Sequence, residues 1–79
     1  MHIHIAYFAI LREQAGTDEE TRETAAETPA DLFAEIADAH RLHVPRKSLR
    51  VAINESFADW DSPLADGDTV AFLPPVAGG

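Results

Sequence analysis

Apolar and polar positions alternate from His2 to Ile10, with Ile3, Ile5, Tyr7 and Ala9 on one face and His2, His4, Ala6, Phe8 and Ile10 on the other. A period of two marks a half-buried strand, so this stretch predicts a long first strand with Ile3 and Ile5 in the core. Leu11–Ala15 predicts a short helical turn, stopped by Gly16. Glu20–Ala26 is polar and rich in threonine, which predicts a weak edge strand whose charges discourage pairing with other chains. The period then changes. Thr28-Pro29-Ala30-Asp31 supplies a capping hydroxyl, a proline suited to the first helical position, and an acid suited to the positive dipole end. Leu32, Phe33, Ile36, Ala37 and His40 follow at helical spacing, leaving Glu35 and Asp38 outside. The helix is expected to end near Arg41 or Leu42, before Pro45.

Alternation returns at Leu49–Ile53, and Asn54-Glu55 reads as a hairpin turn into a short strand around Ser56–Ala58. Asp66-Gly67-Asp68 is a turn signal before the final strand, Thr69–Leu73. The element order predicts an α+β fold, a mixed sheet with one main helix packed across one face. Residues 1–75 are expected to form this domain, with 76–79 a flexible C-terminal tail.

That tail carries the most chemistry. Pro74 and Pro75 lack a backbone donor and fix φ, so they are expected to end the strand and project the chain outward. Gly78 and Gly79 have no Cβ, and a segment built from them passes through a channel that a larger residue would block. The four residues Val76, Ala77, Gly78 and Gly79 reach roughly 13 Å when extended, far enough to deliver a carboxylate into another protein's active site. The plain alternative is a frayed terminus that happens to end in glycine.

Composition narrows the function. With 14 acidic against 6 basic residues the formal charge is −8, the wrong sign for a nucleic-acid binder, which displaces counterions with a basic patch. An acidic domain suits a basic protein partner, and also simply favours solubility. The chain has no cysteine, so disulfides, thiolate metal sites and a thiol nucleophile are excluded. No apolar run approaches a membrane span and no secretory pattern opens the chain, so a soluble cytoplasmic protein is expected.

Phe8-Ala9-Ile10-Leu11-Arg12-Glu13 after the first strand, Val51-Ala52-Ile53-Asn54, Pro63-Leu64-Ala65-Asp66-Gly67-Asp68 and the closing Val70-Ala71-Phe72-Leu73-Pro74-Pro75-Val76-Ala77-Gly78-Gly79 together resemble the small subunit of molybdopterin synthase. The resemblance covers essentially the whole chain and implies a ubiquitin-like β-grasp fold. Leu73 departs from the pattern, since many members carry a second aromatic after Phe72. The resemblance implies that Gly79 is adenylylated with ATP by an activating enzyme and converted to a thiocarboxylate. A donor such as a cysteine desulfurase or a rhodanese-like protein would supply the sulfur. It further implies transfer of that sulfur to cyclic pyranopterin monophosphate on a large subunit, within a heterotetramer of two small and two large subunits. Gly78, Ala77 and Val76 would be the slim approach and Pro74-Pro75 the stiff spacer. The resemblance also places a partner-binding patch at Phe8, Phe57 and Leu73.

The residues themselves bear on each of these points. Phe8 lies across the strand from Ile3 and Ile5, Leu73 is out of phase with Val70 and Phe72, and Phe57 follows a hairpin turn, so a core does not need them. Twist of the sheet would bury one or more of them in the alternative reading. No acid, base and nucleophile are arranged to do the chemistry alone, so the chain is expected to be non-catalytic by itself, a sulfur-donating subunit that binds no cofactor of its own. His2, His4, His40 and His43 lack a cysteine or a facing carboxylate motif, and no metal site is expected. His40 and Arg41 are expected to face the helix C-terminal carbonyls, and Asp59, Asp61, Asp66 and Asp68 to be solvated turn residues. Competing functions are a related sulfur carrier for thiamine or tRNA thiolation, and a ubiquitin-like modifier forming isopeptide bonds through Gly79. Lys47, the single lysine, gives chain-building on itself little support.

Overall fold

Along β1 (His2–Tyr7) the residues Ile3, Ile5 and Tyr7 are buried while His2 and His4 are exposed, so the alternation in the sequence becomes two faces of a strand. The computed structural model describes residues 1–75. It continues with α1 (Ile10–Ala15), β2 (Glu19–Glu23), α2 (Pro29–His40), a single 3-10 turn (Arg46–Ser48), β3 (Arg50–Ile53), β4 (Ser56–Ala58) and β5 (Thr69–Leu73). The strands form one mixed sheet in the order β2-β1-β5-β3-β4. β1 and β5 run parallel at its centre, and the other neighbours are antiparallel.

Register decides which side chains meet. Ile5 pairs with Val70 and Tyr7 with Phe72, and β3 continues the inner face with Val51 opposite Phe72 and Ile53 opposite Val70. Leu32, Phe33 and Ile36 of α2 close over this face in a single buried cluster. Each fully buried aliphatic or aromatic side chain contributes about 1.5–3 kcal/mol, so these three helical residues suffice to fasten the helix.

The helix starts where the capping signal predicts. The Thr28 hydroxyl accepts from the Asp31 N–H at 3.2 Å, and Pro29 occupies the first turn, where it has no intrahelical bond to lose. The Asp31 carboxylate accepts from Glu27 N–H at 3.4 Å, one residue before the usual capping-box partner. Arg41 ends the helix in the left-handed conformation.

Two expectations need correction. The first strand ends at Tyr7, not at Ile10, because Ala9 adopts φ 52° and turns the chain into α1. The edge strand runs Glu19–Glu23 and stops before Thr24, whose hydroxyl accepts from the Ala26 N–H at 3.0 Å and curls the chain towards the helix.

The turn at Ala65–Asp68 delivers β5 beside β1. Gly67, at φ 87°, donates to the His2 carbonyl at 2.8 Å, and the Asp68 carbonyl accepts from His4 N–H at 2.9 Å. Among the described residues, no helix is long and apolar enough to cross a membrane.

Candidate functional site

The face of the sheet away from α2 has no element packed on it among the described residues, and its side chains follow from the same register. Ala6 stands opposite Ala71, Ala71 opposite Ala52, and Ala52 opposite Phe57. The three alanines cross β1, β5 and β3, leaving the centre of the face low, and the row ends at Phe57 on β4. Larger apolar groups stand around it. Phe57 is 67% exposed and Phe8 47%, and Leu73 is half-buried.

Phe8, Phe57 and Leu73 line one shallow depression of about 240 Å³, together with Ala52, Ala71 and Glu55. The structure therefore brings together the three apolar residues that the sequence singles out. Phe8 reaches the depression by a different route from the one expected: it follows β1 and precedes the turn at Ala9, so it is not part of the strand face. An exposed apolar cluster of this kind is a candidate docking surface. The Arg50 guanidinium lies 4.5 Å above the Phe57 ring and covers one side of it.

Pro74 and Pro75 leave β5 directly beyond Leu73, so the tail departs from the rim of this surface. Pro75 is exposed. The remaining tail residues, Val76, Ala77, Gly78 and Gly79, lie outside the described residues.

A second polar group, which the sequence reading missed, sits between β2 and the far end of α2. Glu20 accepts from the Tyr7 hydroxyl and lies 2.8 Å from the His40 ring nitrogen Nε2. Arg22 donates through Nε to Glu35 at 2.5 Å and stands 3.6 Å from Glu20, while the Thr24 hydroxyl donates to Glu35 at 2.7 Å. His40 thus faces β2 and packs edge-on to Tyr7, not over the helix carbonyls as expected, because α2 lies across the sheet with its last turn above β1 and β2. Burial pulls the Glu20 carboxyl upward, but hydrogen bonds from Tyr7 and His40 overcome it and hold the group below its ordinary value. Glu35 is lowered chiefly by the Thr24 hydroxyl against a smaller opposing effect of burial, with Arg22 assisting. Burial first, and then the Glu20 carboxylate, push the Tyr7 phenol far up. The period-two spacing of Glu20 and Arg22 along β2, continued by Thr24 just beyond its end, is the available signal. The buried side-chain polar atoms among the described residues all have partners, so this network binds the edge strand to the helix.

Among the described residues no group of three or more histidines, cysteines or acids is placed to hold a metal ion. Asp66 and Asp68 do not remain purely solvated: Asp66 accepts from the His2 N–H at 2.6 Å, and Asp68 accepts from Asn54 Nδ2 at 2.9 Å and from Ala65 N–H at 2.8 Å.

Residues 5–79, including both the apolar face and the diglycine, match the ThiS family. The chain belongs to the ThiS family. A relative from Escherichia coli, named molybdopterin synthase sulfur carrier subunit, is 39% identical over 82 residues, covering 98% of this chain and 99% of that protein. The small archaeal modifier protein 1 of H. volcanii superposes with a TM-score of 0.79 at 26% identity, over 95% of this chain and 98% of the other. A protein–protein complex of subunits 1 and 2 of the molybdopterin-converting factor from Helicobacter pylori contains a chain that matches with a TM-score of 0.71 at 25% identity, each chain fully covered. Likeness to these structures makes the fold a ubiquitin-like β-grasp, with α2 packed on one face of the mixed sheet.

Proposed function

We propose that this chain is the sulfur-carrier small subunit of molybdopterin synthase. The observation that carries the reading is the relationship to a carrier subunit of that name over 98% of the chain, together with a family match that runs through the final diglycine. The apolar face beside the tail supports it, since a carrier that presents its C-terminus needs a surface by which its acceptor enzyme holds it. The large synthase subunit is the partner proposed for that face, in keeping with the complex of the two H. pylori subunits.

A carboxylate is a poor acyl donor until it acquires a leaving group. The Gly79 carboxylate attacks the α-phosphate of ATP on an activating enzyme, releasing pyrophosphate and leaving a glycyl adenylate. The terminal sulfur of a persulfide on a cysteine desulfurase or rhodanese-like donor displaces AMP to give an acyl disulfide. A dithiol reductant cleaves its S–S bond, releasing the donor's cysteine thiol, becoming a disulfide itself and leaving the tail as a thiocarboxylate. The large subunit then receives the tail, and the sulfur passes to cyclic pyranopterin monophosphate. Nucleotide, pterin and the general bases belong to the partners, and this chain supplies the reactive terminus and the docking face. Two small and two large subunits assemble in this reading, in the cytoplasm.

The test mixes thiocarboxylated chain, large subunit and cyclic pyranopterin monophosphate and detects molybdopterin. Molybdopterin is expected to form, and its absence with a control carrier active overturns the proposal. Efficient delivery of sulfur to a thiazole precursor or a tRNA uridine instead would assign the chain to a related carrier. Likeness to the H. volcanii modifier favours a second reading, conjugation through Gly79 to lysines of other proteins. Isopeptide-linked adducts without any sulfur transfer would select it.

A further inference from the structure

We infer that Glu55 is a specificity-determining residue of the docking face, positioned to take a lysine or arginine side chain of the large subunit. This rests on the reading of that face as the large-subunit surface, and adds the residue that sets the charge of the partner. Glu55 lines the same depression as Phe8, Ala52, Phe57, Ala71 and Leu73, and is the acidic group among them.

Its backbone is the first argument. Asn54 and Glu55 form the two-residue turn between β3 and β4, with φ values of 51° and 71°. A turn of this hand favours asparagine at its first central position and glycine at its second. Asn54 meets that preference and both ends of its amide are engaged: Oδ1 accepts from Thr69 N–H at 2.9 Å and Nδ2 donates to Asp68 at 2.9 Å. Glu55 does not meet it. A side chain occupies the position where glycine would fit without strain, and no ion pair or side-chain hydrogen bond to Glu55 occurs among the described residues to offset that strain. Strained backbone of this kind gathers at functional sites. Three of the four non-glycine residues with positive φ, Ala9, Asn54 and Glu55, adjoin the depression: Ala9 directly follows Phe8, and the other two form the turn beside it.

Its surroundings are the second argument. A carboxylate on the rim of an apolar depression loses water when a partner covers the depression, and an unpaired carboxylate there opposes binding. A cation on the partner reverses that sign, so Glu55 selects for one and against an acidic surface. Arg50 is the nearby cation of this chain, but it lies over the Phe57 ring and does not form an ion pair with Glu55. The overall charge of −8 already attracts a basic partner at long range, and Glu55 fixes where that attraction becomes a contact.

The test measures the affinity of the full chain for its cognate large subunit by calorimetry, with Tm recorded for every variant. Glu55→Gln keeps the strain and removes the charge. It is expected to weaken binding about tenfold and to make the affinity less sensitive to salt. Glu55→Lys is expected to weaken it by about a hundredfold or more. Glu55→Gly is expected to weaken binding as Glu55→Gln does while its Tm equals or exceeds that of the parent, which a merely structural residue would not show. Affinities for Glu55→Gln and Glu55→Gly within twofold of the parent would overturn the inference. The same experiment separates it from the docking reading. A parent chain that fails to bind the large subunit overturns the docking reading, whereas a parent that binds, with Leu73→Asp impaired and the Glu55 variants unaffected, overturns the role of Glu55 alone.

Discussion

The Trp60 indole stacks on the Phe72 ring, with centroids 5.6 Å apart and planes 18° from parallel. Phe33 of α2 meets both, at 5.6 Å from Trp60 and 5.2 Å from Phe72. The loop after β4 is thereby fastened to the strand that leads into the tail. The Trp60 carbonyl also accepts from Ala30 N–H at 3.0 Å and satisfies a donor in the first turn of α2. Phe72 points into this cluster and Leu73, one residue on, lines the apolar depression on the other face. One strand residue anchors the end of the chain and the next presents it.

Phe72→Ala is expected to destabilise the fold by about 3–5 kcal/mol, because a fully buried ring leaves a cavity that the sheet cannot close. Trp60→Ala is expected to cost less, since the indole is only partly buried. Denaturant unfolding measures the first effect cleanly, because Trp60 is the single tryptophan and its fluorescence reports the cluster itself. A loss below about 1 kcal/mol for Phe72→Ala would show that the ring does not anchor β5.

Acid is expected to weaken the junction of β2 with α2. Glu20 and Glu35 are both lowered from 4.5 in the folded protein. The unfolded chain therefore binds protons first as pH falls, and stability rises with pH in this range. The contribution is complete above about pH 5 and is lost as pH drops through the ordinary glutamate value and below it. Both groups are partly exposed, so solvent screening keeps the effect modest. Glu35→Gln is expected to lower Tm at pH 7 and to flatten its fall between pH 5 and pH 3. Parallel Tm curves for parent and variant would rule the network out as the source.

Ala9 offers the opposite kind of change. At φ 52°, ψ −125° an alanine sits in a region that suits glycine, and the strain has no side-chain cap to offset it. Ala9→Gly is expected to stabilise the fold by up to about 1 kcal/mol, seen as a Tm rise of a few degrees. A fall in Tm would mean that the entropy gained by the unfolded chain outweighs the strain relieved.

Local signals were legible in the sequence and contacts between distant residues were not. Ile3, Ile5 and Tyr7 announce their strand by alternation, and Thr28-Pro29 announces the helix start by its chemistry. Asn54-Glu55 announces the hairpin, though Glu at the second place conceals how strained the turn is. The strand end at Tyr7 was hidden because Ala9 is not a residue that signals positive φ. Alternation alone places Phe8 on the outer face of a strand, whereas Phe8 lies beyond the strand end and its exposure comes from the turn that follows. The pairing of His40 with Glu20 spans 20 residues and depends on where α2 crosses the sheet, which no local pattern encodes.

The docking face is tested by separating folding from binding. Phe57 and Phe8 contribute little to the core at their exposures, so Phe57→Asp and Phe8→Asp are expected to change Tm by only a few degrees. Leu73 is half-buried, and Leu73→Asp is expected to cost somewhat more. In a complex with the large subunit each new carboxylate would be taken out of water without a partner, at a cost of several kcal/mol. Affinity for that subunit is therefore expected to fall by about a hundredfold or more for each variant, about 2.7 kcal/mol. Calorimetric affinity and thermal melting on the same preparations decide the matter. Equal losses in both would place Phe8, Phe57 and Leu73 in the core, and a large loss in affinity alone assigns them to the interface.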